Sequence, residues 1–158
     1  MDGKGHIFQL SVSPGGVPKT AVRAAEVGEL GLAGDYQRDR KYHGGPERAL
    51  CLFALETILQ LQREGHPIYP GSTGENITTA GIDFSALAPG SRLLLGGEVL
   101  IEITGDAPPC RTIQGSFKAR RFSRIAQKTH PGESRLYARI LRGGRLEVGA
   151  SVAVEPAG

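Results

Sequence analysis

The chain has no tryptophan, one methionine at its start, and only four tyrosines and five phenylalanines in 158 residues. Its two cysteines, Cys51 and Cys110, are too few for a disulfide framework. A bridge between them stays open, but nothing demands it. Four scattered histidines and two distant cysteines give no zinc-ligand spacing. There is no CxxC, no HExxH and no phosphate-binding GxxxxGK[ST]. No apolar run reaches the ~18 residues of a membrane span. The opening residues Met1-Asp2-Gly3-Lys4-Gly5 lack a signal-peptide core. The cytoplasm, where free thiols persist, is therefore the expected compartment, with no membrane partner.

Glycine and proline are what the chain has in quantity, 23 and 10 residues. With short apolar runs between them, they predict many turns and short strands rather than long helices. The length fits one domain, taken as residues 1–158, on the prior of ~100–200 residues per domain. Such a chain can bury about two-thirds of its unfolded surface.

His6 to Val12 alternates and reads as a strand, Thr20 to Val27 as a second, and Ala49 to Phe53 as a buried third. Leu55, Ile58, Leu59 and Gln62 recur at helical spacing until Gly65 and Pro67 stop them. Gln37 to Arg48 has no apolar period and is expected to be an exposed loop. Arg92 to Thr104 reads as a hairpin turning at Gly96-Gly97, and Leu136 to Val148 as another turning at Gly143-Gly144. Between the hairpins, Gln114 to Gly132 is expected to be irregular or weakly helical. The fold class is mainly β (α+β): a closed or partly open β-barrel with one or two decorating helices.

Charge is unevenly spread. From Cys110 to Arg145 the only acid is Glu133, against ten lysines and arginines. Such asymmetry suggests an anionic ligand, or merely a solvated basic face. Arg120, Arg121 and Arg124 are the foremost candidates for surface charges. Phe117, Phe122 and Tyr137 lie among the bases but form no RNA-binding pattern, so nucleic acid is not the expected partner.

Three loops carry candidate chemistry. Asp106-Ala107-Pro108-Pro109-Cys110-Arg111-Thr112 holds a thiol behind two prolines, which end the strand and stiffen the loop. Arg111 is a nearby positive charge that would favour a thiolate, which can act as nucleophile, sulfur carrier or soft-metal ligand. The alternative is a small apolar residue in a loop. In His43-Gly44-Gly45-Pro46-Glu47-Arg48, the glycines permit close backbone approach and Arg48 can grip a phosphate. His43 there can serve as acid or base; the alternative is an ordinary turn with a surface histidine. In Gly74-Glu75-Asn76, carboxylate and carboxamide can anchor a heterocycle or pin a loop.

Taken in order, Gly34-Asp35, His43 to Ala49, Gly74 to Thr78, Pro108-Pro109-Cys110 and Gly143 to Gly149 resemble a MOSC domain, named for the C-terminal part of molybdenum cofactor sulfurase. The resemblance runs from Ile7 to Glu155. It implies a β-barrel and the molybdenum cofactor (molybdopterin), with Cys110 matching a cysteine that ligates molybdenum in some relatives and serves sulfur delivery in others. It implies that Gly44, Gly45 and Arg48 line the cofactor loop and that Glu75 and Asn76 order the pocket wall. Arg111 and Thr112, which follow the thiol, are cofactor-binding candidates, and Cys110 and His43 are the catalytic ones, with nothing in the sequence to show that these two share a pocket. No iron–sulfur cysteine set or flavin fingerprint is present. A reductase would thus need a protein electron donor, and a carrier a sulfur donor. Three readings follow: a molybdenum-cofactor oxidoreductase component acting on small N-hydroxylated substrates, a carrier bearing a persulfide on Cys110, and a phosphate- or nucleic-acid-binding module.

Overall fold

The computed structural model describes residues 3–36 and 45–156. Its strands are β1 (Lys4–Val12), β2 (Thr20–Val22), β3 (Ala24–Gly28), β4 (Gly31–Leu32), β5 (Leu50–Ala54), β6 (Ile77–Ala80), β7 (Arg92–Leu95), β8 (Val99–Ala107), β9 (Arg135–Arg142), β10 (Gly144–Glu147) and β11 (Ser151–Val154). One α-helix, α1 (Leu55–Arg63), joins β5 to β6.

Seven strands close into a barrel. The order is β11-β7-β8-β9-β5-β6-β1, and β1 pairs back onto β11. Closure removes the exposed edges that an open sheet would present. All neighbours are antiparallel except β5 and β6, which are parallel. Parallel neighbours need a crossover, and α1 with the loop after it supplies one. Ile58 and Leu61 form the buried face of α1; of the stripe expected from the spacing, Leu55, Ile58, Leu59 and Gln62, Ile58 is buried while Leu59 and Gln62 are exposed. Inside the barrel lie Ile7, Leu10, Leu50, Leu52, Ile77, Leu93, Leu95, Ile101, Ile103 and Ala138.

The first hairpin forms as expected, with Gly96 and Gly97 at φ 63° and 72° in its turn. The second does not form. β9 and β10 make no ladder with one another; β10 pairs with β3 in a separate three-stranded sheet, β10-β3-β4. Gly143 is where the chain leaves the barrel, and its α-carbon lies so close to the Val27 carbonyl that a Cβ would sit 2.3 Å from that oxygen. The stretch Thr20 to Val27 is likewise two strands: β2 stays on β1 while β3 crosses to the small sheet. A local apolar pattern says that a segment is a strand but not which sheet takes it.

Residues 111–125 wind through three short 3-10 turns, Arg111–Ser116, Lys118–Arg120 and Phe122–Ile125. Ile113, Phe117 and Ile125 pack with Phe53, Ile58 and Leu61 into a second core outside the barrel wall. Arg124 is not a surface charge. It bonds both Glu64 oxygens at 2.9 Å and Glu133 at 3.0 Å, fastening this segment to the end of α1. No helix among the described residues is long and apolar enough to cross a membrane.

Candidate functional site

Side chains alternate across a strand, so the residues between the barrel's inward positions face outward. On β5 that is Cys51; on β9 they are Arg135 and Tyr137. β8 would not match them without an irregularity. Ile103 pairs with Ala138, yet Gly105 pairs with Tyr137. Two residues of β8 thus oppose one step of β9. This bulge around Thr104 switches the face of β8, and Ala107 lands outside against Cys51 and Tyr137. The candidate site sits over this outer patch, not in the barrel lumen.

β8 ends here because Pro108 and Pro109 have no N–H to extend the ladder. Cys110 follows in extended conformation, φ −143° and ψ 176°, at the mouth of the turn Arg111–Ser116. It is a free, half-buried thiol. Its carbonyl accepts from the Ile113 amide at 3.1 Å, and Ile113 is buried in the second core. Ser116 donates to Ser72 at 2.8 Å, tying the turn to the loop before Glu75. Arg111 and Thr112, the first two residues of that turn, are exposed.

Cys51 has the opposite character. It is also free, but buried beneath Ala107 and Tyr137, and desolvation pushes its thiol up to about 11. Only Cys110 of the two is open to a ligand. Among the described residues no group of three or more His, Cys, Asp or Glu could hold a metal ion.

Gly45 and Arg48 belong to a short turn, Pro46–Arg48, that rides on β8 and β9. Thr104 donates to the Glu47 carbonyl at 2.6 Å. Gly45 has φ 80° and open space where a Cβ would be. The Arg48 guanidinium stands 5.3 Å over the Tyr137 ring. Tyr137 thus lies between Arg48 and the buried Cys51 and Ala107. Burial pushes its phenol up to about 12. His43 and Gly44 lie outside the described residues.

Glu75 and Asn76 are fully buried and stand behind the site. Asn76 accepts from the Cys51 amide at 3.0 Å and donates to the Ser11 carbonyl at 3.2 Å and to Asp35 at 2.9 Å. Asp35 is in turn paired with Lys19 at 2.8 Å in a nearly closed environment. Of the two readings drawn from the sequence, pinning a loop describes Asn76. Glu75 accepts from Thr73 at 2.8 Å through one oxygen, while the other has no partner. Burial raises its pKa, opposed by hydrogen bonds from its own backbone, Thr73 and the Gly71 backbone, and last by Arg135.

Arg135 and Tyr137 were missed as site residues from sequence. Arg135 counted only as one base among ten, and Tyr137 as a stray aromatic. The available signal was the pair of prolines, before which the β8–β9 ladder ends, leaving the last carbonyls of β8 where the pairing stops. Several of the remaining bases are engaged with acids or backbone: Arg139 with Glu102, Arg142 with the Glu98 carbonyl, and Arg145 with Glu26 and Glu147. The basic run is therefore divided, part of it held in separate ion pairs and backbone contacts at the surface and part of it, Arg111, Arg120 and Arg121, exposed.

The comparisons agree with this geometry. The sequence model of the MOSC domain matches residues 39–153. Protein YiiM of Escherichia coli strain K12 is 34% identical over 105 residues, covering 64% of this chain and 46% of that protein. The uncharacterized protein YflK of Bacillus subtilis strain 168 is 28% identical over 120 residues, covering 75% and 53%. The chain thus spans about half the length of the curated relatives it matches. The crystal structure of YiiM from Geobacillus stearothermophilus superimposes with a TM-score of 0.73 at 23% identity, over 98% of this chain and 76% of that one. The barrel, the position of the thiol loop and the matched span lead to one assignment: the chain belongs to the MOSC domain family.

Proposed function

We propose that this chain binds the molybdenum cofactor through Cys110 and serves as the reducing component for small N-hydroxylated substrates. The family is one associated with that cofactor. The observation that carries the reading is the contrast between the thiols: Cys110 is half-open on a fastened loop, while Cys51 is sealed and held protonated. The donor set suits the group. A thiolate is a soft ligand appropriate to molybdenum held by a dithiolene. Gly45 leaves its Cβ space open, and Arg48 and Arg111 are exposed cations fit for a pterin phosphate.

In this reading Cys110 ligates the metal, Arg48 and Arg111 hold the anionic end, and Tyr137 forms the floor between them. When bound, the cofactor supplies a two-electron redox couple. The net reaction breaks the substrate N–O bond, consumes two electrons and two protons, and releases the oxygen as water. The electrons come from a partner protein. Cys110 as a persulfide carrier uses the same half-open thiol and is separated by experiment.

The protein is expressed in a host that makes the cofactor, and molybdenum per chain is measured for wild type, Cys110→Ser and Cys51→Ala. Near-stoichiometric metal in wild type and Cys51→Ala, lost in Cys110→Ser, is expected. Folded wild-type protein without molybdenum, but with a persulfide on Cys110 after exposure to a cysteine desulfurase, would transfer the role to sulfur carriage.

A further inference from the structure

We propose that Arg135 is a positioning residue for the Cys110 thiol: its guanidinium braces the loop that carries Cys110 against the loop that carries Glu75. The β8–β9 ladder ends at Ala107, before Pro108 and Pro109, so the last carbonyls of the strand lie where the pairing stops. Arg135 reaches that point from the facing strand. One terminal nitrogen donates to the Thr73 carbonyl at 2.7 Å, and the other to the carbonyls of Ala107 at 3.4 Å and Pro108 at 3.2 Å. The residue is 6% exposed. A guanidinium spreads its donors in a rigid fork, so one side chain can hold two loops in fixed relation.

Two further facts point the same way. The Arg135 Nε is buried without a partner, and so is one oxygen of Glu75. Both side chains hold the Thr73-Glu75 loop, Arg135 through the Thr73 carbonyl and Glu75 through the Thr73 hydroxyl. A buried charge with an unsatisfied donor is costly and gives little net stability. Its bonds to the carbonyls of Ala107 and Pro108, three and two residues before Cys110, are better accounted for by geometry of the thiol than by stability of the barrel. Downstream, Ile113 and Ser116 complete the clamp. Cys110 is thus fastened on both sides while its own side chain stays half-open.

This inference rests on the reading that Cys110 is the working thiol, but its test does not require molybdenum. The full chain is purified as wild type, Arg135→Met and Arg135→Lys. Alkylation of Cys110 and of Cys51 by iodoacetamide is followed by peptide mass spectrometry, well below the thermal midpoint of each. Loss of one charge-assisted contact set should raise the Cys110 rate about tenfold in Arg135→Met. Arg135→Lys, with the charge but not the fork, should recover only part of the difference. Cys51 should stay slow in both, because Ala107 above it is held by the β8–β9 ladder. An unchanged Cys110 rate, or a parallel rise at Cys51 that marks general loosening, would overturn the proposal.

If neither variant melts cooperatively, native-state hydrogen exchange of the wild type decides. The Ile113 amide, which donates to the Cys110 carbonyl, should open in the same urea-dependent event as the amides of β9. Exchange through an independent, urea-insensitive fluctuation would sink the brace. Metal content of the same wild-type preparation is read separately, so failure of the cofactor reading leaves the alkylation result standing.

Discussion

Asn76→Ala is the substitution whose cost the structure specifies most directly. The side chain is fully buried and makes three hydrogen bonds to three separate segments: the Cys51 amide, the Ser11 carbonyl and the Asp35 carboxylate. Alanine removes all three and puts no water in their place. Leaving a buried donor or acceptor unpaired costs about 1–3 kcal/mol. With the Cys51 amide and the Ser11 carbonyl both affected, and Asp35 weakened, the loss should be roughly 3–5 kcal/mol. That is a large part of the ~5–15 kcal/mol that a domain of this kind has in total. The assay is urea unfolding followed by far-ultraviolet circular dichroism. The midpoint should fall with little change in slope, because the surface exposed on unfolding is nearly the same. Asn76→Asp should be worse near neutral pH, since it sets a second carboxylate beside Asp35. It should recover in part on acidification, when one of the two carboxyls takes up a proton. A loss below about 1 kcal/mol for Asn76→Ala would show that the network is not the hinge of this loop cluster and refute the reasoning.

Two further outcomes are expected. A thiol reagent at pH 8 should label one cysteine in the native protein and both in denaturant. Burial holds Cys51 protonated up to about 11, so labelling of Cys51 at a rate near that of Cys110 would contradict the packing. The Glu64–Arg124 pair should shape the acid limb of stability. Hydrogen bonding from Arg124 lowers the Glu64 carboxyl from 4.5 to about 2. A folded-state pKa below the unfolded value contributes stability that is complete above the unfolded pKa and lost as pH falls through the folded one. Arg124→Ala should therefore reduce stability at pH 7 by about 1 kcal/mol, the scale of a partly exposed pair. The difference should shrink between pH 5 and 2, where Glu64 protonates in both proteins. A difference that persists unchanged at pH 2 would assign the effect of Arg124 to packing instead.

The local elements of the barrel were legible because their causes are local. The alternation of β1, the apolar run of β5, the 3.6 period of α1 and the Gly96-Gly97 turn each follow from side-chain periodicity and backbone freedom over a few residues. The end of β8 just before Cys110 was legible for the same reason, since proline ends a strand whatever surrounds it. The ordered set of loops was enough to indicate the family. What tertiary structure alone decided was pairing and facing. Gly143-Gly144 has the chemistry of a hairpin turn, yet β10 leaves β9 for β3, because the choice of partner depends on strands far away in the chain. The bulge around Thr104 reverses the outward face of β8; Gly105 beside it is a local sign of such an irregularity, but the reversal of face depends on the pairing with β9. Arg124 and Arg135 are one residue type in one basic segment, but one fastens a helix end and the other is buried under the thiol loop. Composition specifies which charges a chain carries; only the fold determines which of them meet a carboxylate, a carbonyl or water, because each of those partners is supplied by a distant segment.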